Sequence, residues 1–252
     1  MKTAQQRWGP VIAPVVVGVV LLALWQLLVT VGGVSDYLLP SPSSIGGEIR
    51  SLWPALVKGF GITGFNALLG LVAGSLLAIV LAACAAAWRP IDGMAAPVVA
   101  ALAVIPIVAL APVLGTMLGA DSEMPRRIIA ALAAFTPVFL NTLRGLRQAL
   151  PVHRDLMHAY AASGWQTLRT VTLPTAVPFV FTGVRTASSL AVISALVAEY
   201  FGGPRGGLGG LISTYAAQSA YARSWAFVVA SIVLGLVFSL VTALVARLVS
   251  RG

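Results

Sequence analysis

The fold is decided at residues 154–178, which read RDLMHAYAASGWQTLRTVTLPTAVP. This polar and aromatic segment interrupts a chain that is otherwise apolar, since 59% of the 252 residues are hydrophobic and only 9% are charged. A soluble domain carries about a quarter charged residues, so the apolar surface exceeds what one core can bury. We therefore expect an all-α integral membrane protein in which most of this segment lies outside the bilayer.

The number of membrane spans follows from the length of the apolar runs. A helix needs about 20 apolar residues to cross roughly 30 Å of hydrocarbon. We predict about six transmembrane helices in a single transmembrane domain, residues 1–252, at 11–31, 59–87, 94–118, 128–149, 175–200 and 225–248. The third run contains Pro97, Pro106 and Pro112, so we expect it to be kinked or broken. Small residues such as Gly70 and Gly74 predict close helix packing.

The distribution of basic residues predicts the orientation, because cationic loops stay on the cytoplasmic side. With both termini in the cytoplasm, nine of the 16 Lys and Arg residues fall inside and six outside. We therefore predict cytoplasmic termini and a cytoplasmic loop at residues 150–174, between the fourth and fifth spans. The basic residues form no run typical of nucleic-acid binding, so we expect no nucleic-acid partner.

The sequence shows no catalytic or metal-binding set. Its two histidines, His153 and His158, lie five residues apart rather than at the i, i+4 spacing of a zinc-binding helix. The phosphate-binding pattern G-x-x-x-x-G-K-[ST] is absent, so we expect the chain itself to bind no cofactor. Nor does the sequence contain an acidic ring motif or a carbonyl filter. These absences argue against an ATP-independent membrane channel and against an integral-membrane enzyme, but both remain as alternative functions.

The loop has the residue pattern of an amphipathic helix. One stripe recurs at helical spacing and consists of Met157, Tyr160, Ala161, Gly164 and Leu168. Pro151 is suited to the start of this helix, and Pro174 predicts its end. Such a helix either lies on lipid headgroups or inserts into a groove of a partner protein, and the pattern alone favours neither.

The same loop resembles the EAA loop of bacterial ABC importer permeases, which reads E-A-A, three residues, G, nine residues, I, one residue, L-P. Residues 155–157, Asp-Leu-Met, stand at the E-A-A positions, and Ala161 stands at the glycine. Val171, Leu173 and Pro174 fill the last three positions. Four segments resemble the nitrate/sulfonate/taurine-type permeases: SGWQTLRTVTLPTAVPFVFTGVR (163–185), YLLPSP (37–42), IPIVALAPVL (105–114) and AEYFGGPRGGLGGLI (198–212).

This resemblance implies the fold of a type I ABC importer permease, with a cytoplasmic coupling helix between spans four and five. It implies a bacterial cytoplasmic (inner) membrane location, two ABC ATPase subunits that use ATP and Mg, an extracytoplasmic solute-binding protein and a second permease copy, identical or different. The solute implied is a sulfonate-, taurine- or nitrate-like anion, or an aromatic or pyrimidine-type precursor, moved inward by alternating access. The glycine of the motif is expected to allow close approach to the ATPase subunit.

Two groups of residues are candidates for function. The docking site for the ATPase subunit is predicted to comprise Asp155, Leu156, Met157, His158, Tyr160, Ala161, Gly164, Trp165, Leu173 and Pro174. Polar and proline residues at membrane depth are functional candidates because they are costly there. The predicted pathway residues are Asn66, Pro106, Pro112, Asn141 and Glu199. For Glu199, a structural ion pair with Arg205 is the alternative.

Overall fold

A computed structural model describes residues 5–35, 37–119, 121–202 and 206–249. All regular structure within these ranges is helical. The helices are α1 (Gln5–Val31), α2 (Pro42–Ser51), α3 (Trp53–Ala87), α4 (Arg89–Val104), α5 (Leu110–Leu118), α6 (Met124–Arg147), α7 (Pro151–Ala159), α8 (Gly164–Thr167), α9 (Leu173–Gly202), α10 (Leu208–Ala217) and α11 (Tyr221–Val249).

Five helical stretches in the described residues are long and apolar enough to cross a membrane. They are Ala13–Val31 within α1, then α3, α6, the continuous stretch Gly164–Gly202, and α11. The second span begins at Trp53 instead of residue 59, and the fourth begins at Met124 instead of residue 128. In both helices a proline occupies the first turn, where its missing N–H is not needed and the helix can begin.

The third predicted span is broken, as its prolines suggested. Helix α4 ends at Val104, and Ile105 is extended at φ −64° and ψ 125°. Pro106 follows, and it disfavours a helical conformation at the residue before it. A 3₁₀ turn, Ile107–Ala109, then leads into α5. Helices α4 and α5 contain 16 and 9 residues, so neither alone reaches the length of a span.

Helix α6 packs between α3 and α9, and glycines lie at both contacts. A Cβ added at Gly74 of α3 would overlap the carbonyl oxygen of Ala131 in α6. A Cβ at Gly183 of α9 would lie 3.0 Å from the Cα atom of Val138. Helix backbones therefore approach closely at both contacts, which is how helices associate where lipid provides no hydrophobic driving force. The expected packing of small residues is confirmed for Gly74.

Helices α1 and α11 lie at the periphery and leave most of their apolar surface exposed. The rings of Trp25 and Trp225 join the two helices in an edge-to-face contact, with centroids 5.5 Å apart. Gln26 Nε2 donates to Ser43 Oγ at the start of α2 over 3.2 Å. The exposed faces of both helices are free to contact lipid or a second membrane protein.

Enlarging Gly74 should separate α3 from α6. The substitution Gly74→Ala is expected to lower the free energy of unfolding by about 1–3 kcal/mol, because the added methyl group overlaps backbone. Thermal unfolding in detergent measures the effect as a fall in Tm of several degrees. The control is Gly61→Ala on the same helix, where an added Cβ meets no atom within 4 Å and Tm should not fall. Equal Tm values for the two variants would contradict the close contact.

Candidate functional site

The predicted loop begins with α7, a nine-residue amphipathic helix. Leu150 is extended at φ −61° and ψ 141°, and Pro151 follows in the first turn. Proline is suited to this position because the first N–H groups of a helix have no partner within it. The predicted start at Pro151 is therefore confirmed.

The end of α7 explains why the EAA pattern has a glycine. The N–H of Ala162 donates to the carbonyl of Met157, and that of Ala161 to the carbonyl of His158, both at 2.9 Å. These two bonds form a Schellman motif, which needs a left-handed residue at the position of Ala161. Its φ is 50°, a conformation that disfavours a residue with a Cβ. The position therefore serves the turn itself, and the close approach to a partner stays a prediction.

A capping box starts the second helix of the loop. Ser163 Oγ accepts from the N–H of Gln166 at 3.3 Å, and Gln166 Oε1 accepts from the N–H of Ser163 at 2.7 Å. The pattern S-x-x-Q is a known signal for a helix start. The prediction of one helix across the loop is therefore wrong: residues 160–163, here called the elbow, separate α7 from α8.

Pro174 does not end the helix, in contrast to the prediction. After α8 the chain passes through a π-helical turn, Leu168–Thr172, directly into α9. The N–H of Leu173 donates to the carbonyl of Leu168, five residues earlier. Thr175 Oγ1 donates to the carbonyl of Val171 at 2.7 Å, which provides a side-chain donor beside the proline. A wide turn of this kind accommodates a residue that lacks an N–H.

The elbow and the helices on either side of it, α7 and α8, expose large apolar side chains. Tyr160 is 77% exposed, Trp165 67% and Leu156 54%. Of the ten predicted docking residues, Met157 is partly buried and the others are exposed. They are distributed over α7, the elbow, α8 and the first residues of α9. Exposed aromatic side chains on a small rigid surface are typical of protein interaction sites.

The loop is attached to tightly packed helices at its base. A Cβ added at Gly145, near the end of α6, would lie 2.7 Å from the Cβ atom of Phe179 in α9. Arg147, in the last turn of α6, forms an ion pair with Asp92 at the start of α4. The two ends of the loop therefore stay close together, and a force on the elbow acts on α6 and α9 jointly.

The structure does not bring the five predicted pathway residues together. Pro106 is exposed at the break between α4 and α5, and Pro112 is exposed in the first turn of α5. Asn141 is partly buried, and its Nδ2 donates to the carbonyl of Pro137 at 2.7 Å. Asn66 and Glu199 are each only 1% exposed. A role for these residues in the pathway stays a prediction.

Asn66 and Glu199 belong to a set of buried and partly buried polar side chains, here called the polar network: Thr63, Asn66, Glu123, Arg126, Arg127 and Glu199. Asn66 Nδ2 donates to Glu123, and Arg127 Nε donates to Asn66 Oδ1 at 3.0 Å. Glu123 also pairs with Arg126, which is 1% exposed. Thr63 Oγ1 donates to Glu199 Oε2 at 2.8 Å.

Four members of the polar network were not predicted: Thr63, Glu123, Arg126 and Arg127. Thr63 and Asn66 are one helical turn apart and therefore share a face of α3, a signal that the sequence contained. The Arg205 of the alternative ion pair lies outside the described residues. Among those that the structure describes, no group of three or more His, Cys, Asp or Glu side chains could hold a metal ion.

The known proteins that this chain resembles are components of transport systems, and the similarity covers most of the chain. Residues 70–252 match the family described as "Binding-protein-dependent transport system inner membrane component". The riboflavin transport system permease protein of Chloroflexus aurantiacus is 33% identical over 218 residues, which cover 84% of this chain and 80% of that protein. A putative aliphatic sulfonates transport permease protein of Escherichia coli is 28% identical over 79% of this chain and 76% of its own length.

Solved structures show the same fold. The MetNI methionine ABC transporter in inward-facing conformations has a chain that superimposes with a TM-score of 0.66 at 17% identity. The match covers 79% of this chain and 98% of that chain. The all-α permease fold expected from the sequence is thereby confirmed.

Replacing Ala161 with glycine should stabilise the elbow. Glycine adopts the left-handed conformation without steric cost, so Ala161→Gly is expected to stabilise the turn by about 0.5–1 kcal/mol. Amide hydrogen exchange in residues 151–163 measures this as slower exchange. The control Ala159→Gly, in the last turn of α7, should accelerate exchange because glycine is unfavourable inside a helix. Faster exchange in Ala161→Gly would contradict the role given to the turn.

Proposed function

This chain belongs to the family of binding-protein-dependent transport system inner membrane components and is the permease subunit of an ABC importer; we propose that the elbow is where an ATPase subunit drives it. The observation that carries this proposal is the exposure of Tyr160, Trp165 and Leu156 on a loop attached to α6 and α9. An exposed apolar patch of this kind stays in water only at a cost, which a protein partner removes.

The length of the helical stretch that contains α9 supports a loop that projects from the membrane. The continuous stretch Gly164–Gly202 contains 39 residues, about 58 Å of helix. The hydrocarbon layer is only about 30 Å thick. One end of this stretch therefore extends well beyond the hydrocarbon, and we place the elbow end in the cytoplasm, where the basic-residue count puts it.

We assign energy supply to two separate ATPase subunits, since the sequence has no phosphate-binding loop of its own. Closure of these subunits on ATP and Mg moves the elbow of each permease, and the permease alternates between inward- and outward-open states. A binding protein delivers the solute at the opposite face. A second permease copy completes the pathway, and the exposed apolar faces of α1 and α11 offer surface for it.

The solute we propose is a small polar molecule. The relatives are named for solutes of different chemistry, riboflavin and aliphatic sulfonates among them. Within the described residues, the arginines of the polar network already have acidic or amide partners, so this network does not single out an anion. We therefore assign the choice of solute to the binding protein that delivers it.

A charge placed on the elbow or on the adjacent part of α7 should release the ATPase subunit. Tyr160→Glu and Leu156→Glu are each expected to reduce co-purification of the ATPase subunit about tenfold or more, because a buried unpaired carboxylate opposes docking. The matched control is Leu38→Glu, since Leu38 is 75% exposed and lies in the loop after α1, on the opposite face by our assignment. Unchanged co-purification in both elbow variants, at normal membrane insertion, would exclude this docking site.

Labelling in intact cells tests the orientation. In a Cys84→Ala background, Leu38→Cys should react with a membrane-impermeant maleimide from outside. Gln148→Cys, at the end of α6, should react only after the membrane is permeabilised, because our assignment places it in the cytoplasm. The reverse pattern would place the elbow outside the cell, beyond the reach of any ATPase subunit.

A further inference from the structure

The start of α10 is buried, and its backbone N–H groups need partners from elsewhere. Leu208, Gly209 and Gly210 are all buried, and the preceding Gly207 has no side chain that could cap the helix. The first N–H groups of any helix lack partners within it. Away from water, each unpaired group would be costly.

Side chains of two other helices supply these partners. Thr63 Oγ1, on α3, accepts from the N–H of Leu208 at 2.8 Å. Glu199 Oε2, on α9, accepts from the N–H of Gly209 at 3.0 Å. The same Thr63 hydroxyl donates to Glu199 Oε2 at 2.8 Å. Thr63 and Glu199 together, here called the clasp, thus cap α10 and connect it to α3 and α9.

The glycines of α10 allow this arrangement. A Cβ added at Gly207 would overlap the Glu199 carboxylate, and one added at Gly209 would overlap the carbonyl oxygen of Leu196. The backbone of α10 therefore passes directly over the clasp. A carboxylate at the start of a helix is also favoured by the helix dipole.

The clasp lies at the far end of the helix that begins at the elbow. From Gly164 to Gly202 the helix is continuous, so Glu199 sits about 50 Å from the elbow along one helical element. Ser224 Oγ, on α11, donates to the carbonyl of Ile212 in α10 at 3.1 Å. Movement of α9 thus reaches α10 through Glu199, and release of α10 would uncover its contact with α11.

We propose that Thr63 and Glu199 are positioning residues that hold α10 against α3 and α9, and that movement of α9 releases α10 during transport. This inference rests on the proposed function, because the movement of α9 starts with an ATPase subunit at the elbow. In the nucleotide-free state the clasp keeps the end of the molecule opposite the elbow closed. When the ATPase subunits close on nucleotide, the clasp opens and α10 moves away.

The test uses Ser224→Cys as a reporter, because serine and cysteine have similar shapes and Ser224 is buried at the contact between α10 and α11. The full chain, in a Cys84→Ala background and with its ATPase subunit, is reconstituted in nanodiscs. The rate of labelling by fluorescein maleimide is measured without nucleotide and after trapping with ATP and vanadate. Labelling should be slow without nucleotide and fast in the trapped state.

Thr63→Val removes the hydroxyl and keeps the shape of the side chain. It should raise labelling of the nucleotide-free state about fivefold to thirtyfold, the factor that corresponds to loss of a helix cap. Thr63→Ser restores the hydroxyl and should return labelling to the level of the parent chain. The matched control is Thr142→Val: Thr142 is 2% exposed, and its Oγ1 has no hydrogen-bond partner among the described residues. This control should behave like the parent chain.

The possible outcomes test the role of the clasp and the proposed function separately. If Thr63→Val labels like the parent chain without nucleotide, the clasp does not hold α10 and the inference is wrong. If Thr63→Val and Thr142→Val accelerate labelling equally, the effect is general loosening and the inference also fails. If Thr63→Val alone accelerates labelling but nucleotide changes nothing in the parent chain, the clasp holds α10 without responding to the elbow. That last result overturns release by α9 and counts against the ATPase-driven function.

Discussion

Close backbone contact between α6 and its two neighbours is the constraint on which the rest of the structure depends. Lipid gives helices little reason to associate through apolar side chains, so contact depends on small residues that allow the backbones to approach. Gly74 provides this on α3 and Gly183 on α9. With α6 held from both sides, the loop between α6 and α9 cannot move independently of the core. In the proposed function, an elbow on such a base transmits displacement to α6 and α9 instead of absorbing it.

Proline residues leave one helical stretch of the chain continuous and interrupt another. The stretch that begins at Gly164 continues past Pro174 to Gly202, because a π-helical turn accommodates the proline. The chain between α4 and α5 breaks at Pro106, where the preceding residue is extended, the conformation that proline favours there. Proline thus has opposite effects at the two sites, and the local hydrogen-bond pattern decides which occurs. The continuous stretch suits a lever, whereas non-helical backbone at membrane depth is tolerated where it borders protein or a cavity.

The sequence was sufficient to predict the long membrane helices but not the connections between them. Long apolar runs identify spans because lipid requires them, and Pro106 marked the break. The elbow was missed because helical periodicity extends from Met157 through Leu168 and does not reveal the single left-handed residue between them. The capping pattern that begins at Ser163 was the readable signal. Arg126 lies outside the predicted span 128–149, but α6 starts at Met124 and the residue is only 1% exposed.

Side chains cap the starts of both α8 and α10, but the two caps have different consequences because one is exposed and the other is buried. At α8 the cap is local and exposed: Ser163 and Gln166 satisfy each other within four residues, and water can replace either bond. At α10 the cap is buried and comes from Thr63 and Glu199 on two other helices, in surroundings where a hydrogen bond is stronger than in water. The start of α10 therefore cannot fray by itself. Its displacement requires α3, α9 and α10 to rearrange together, which makes a local cap into a link between distant parts of the fold.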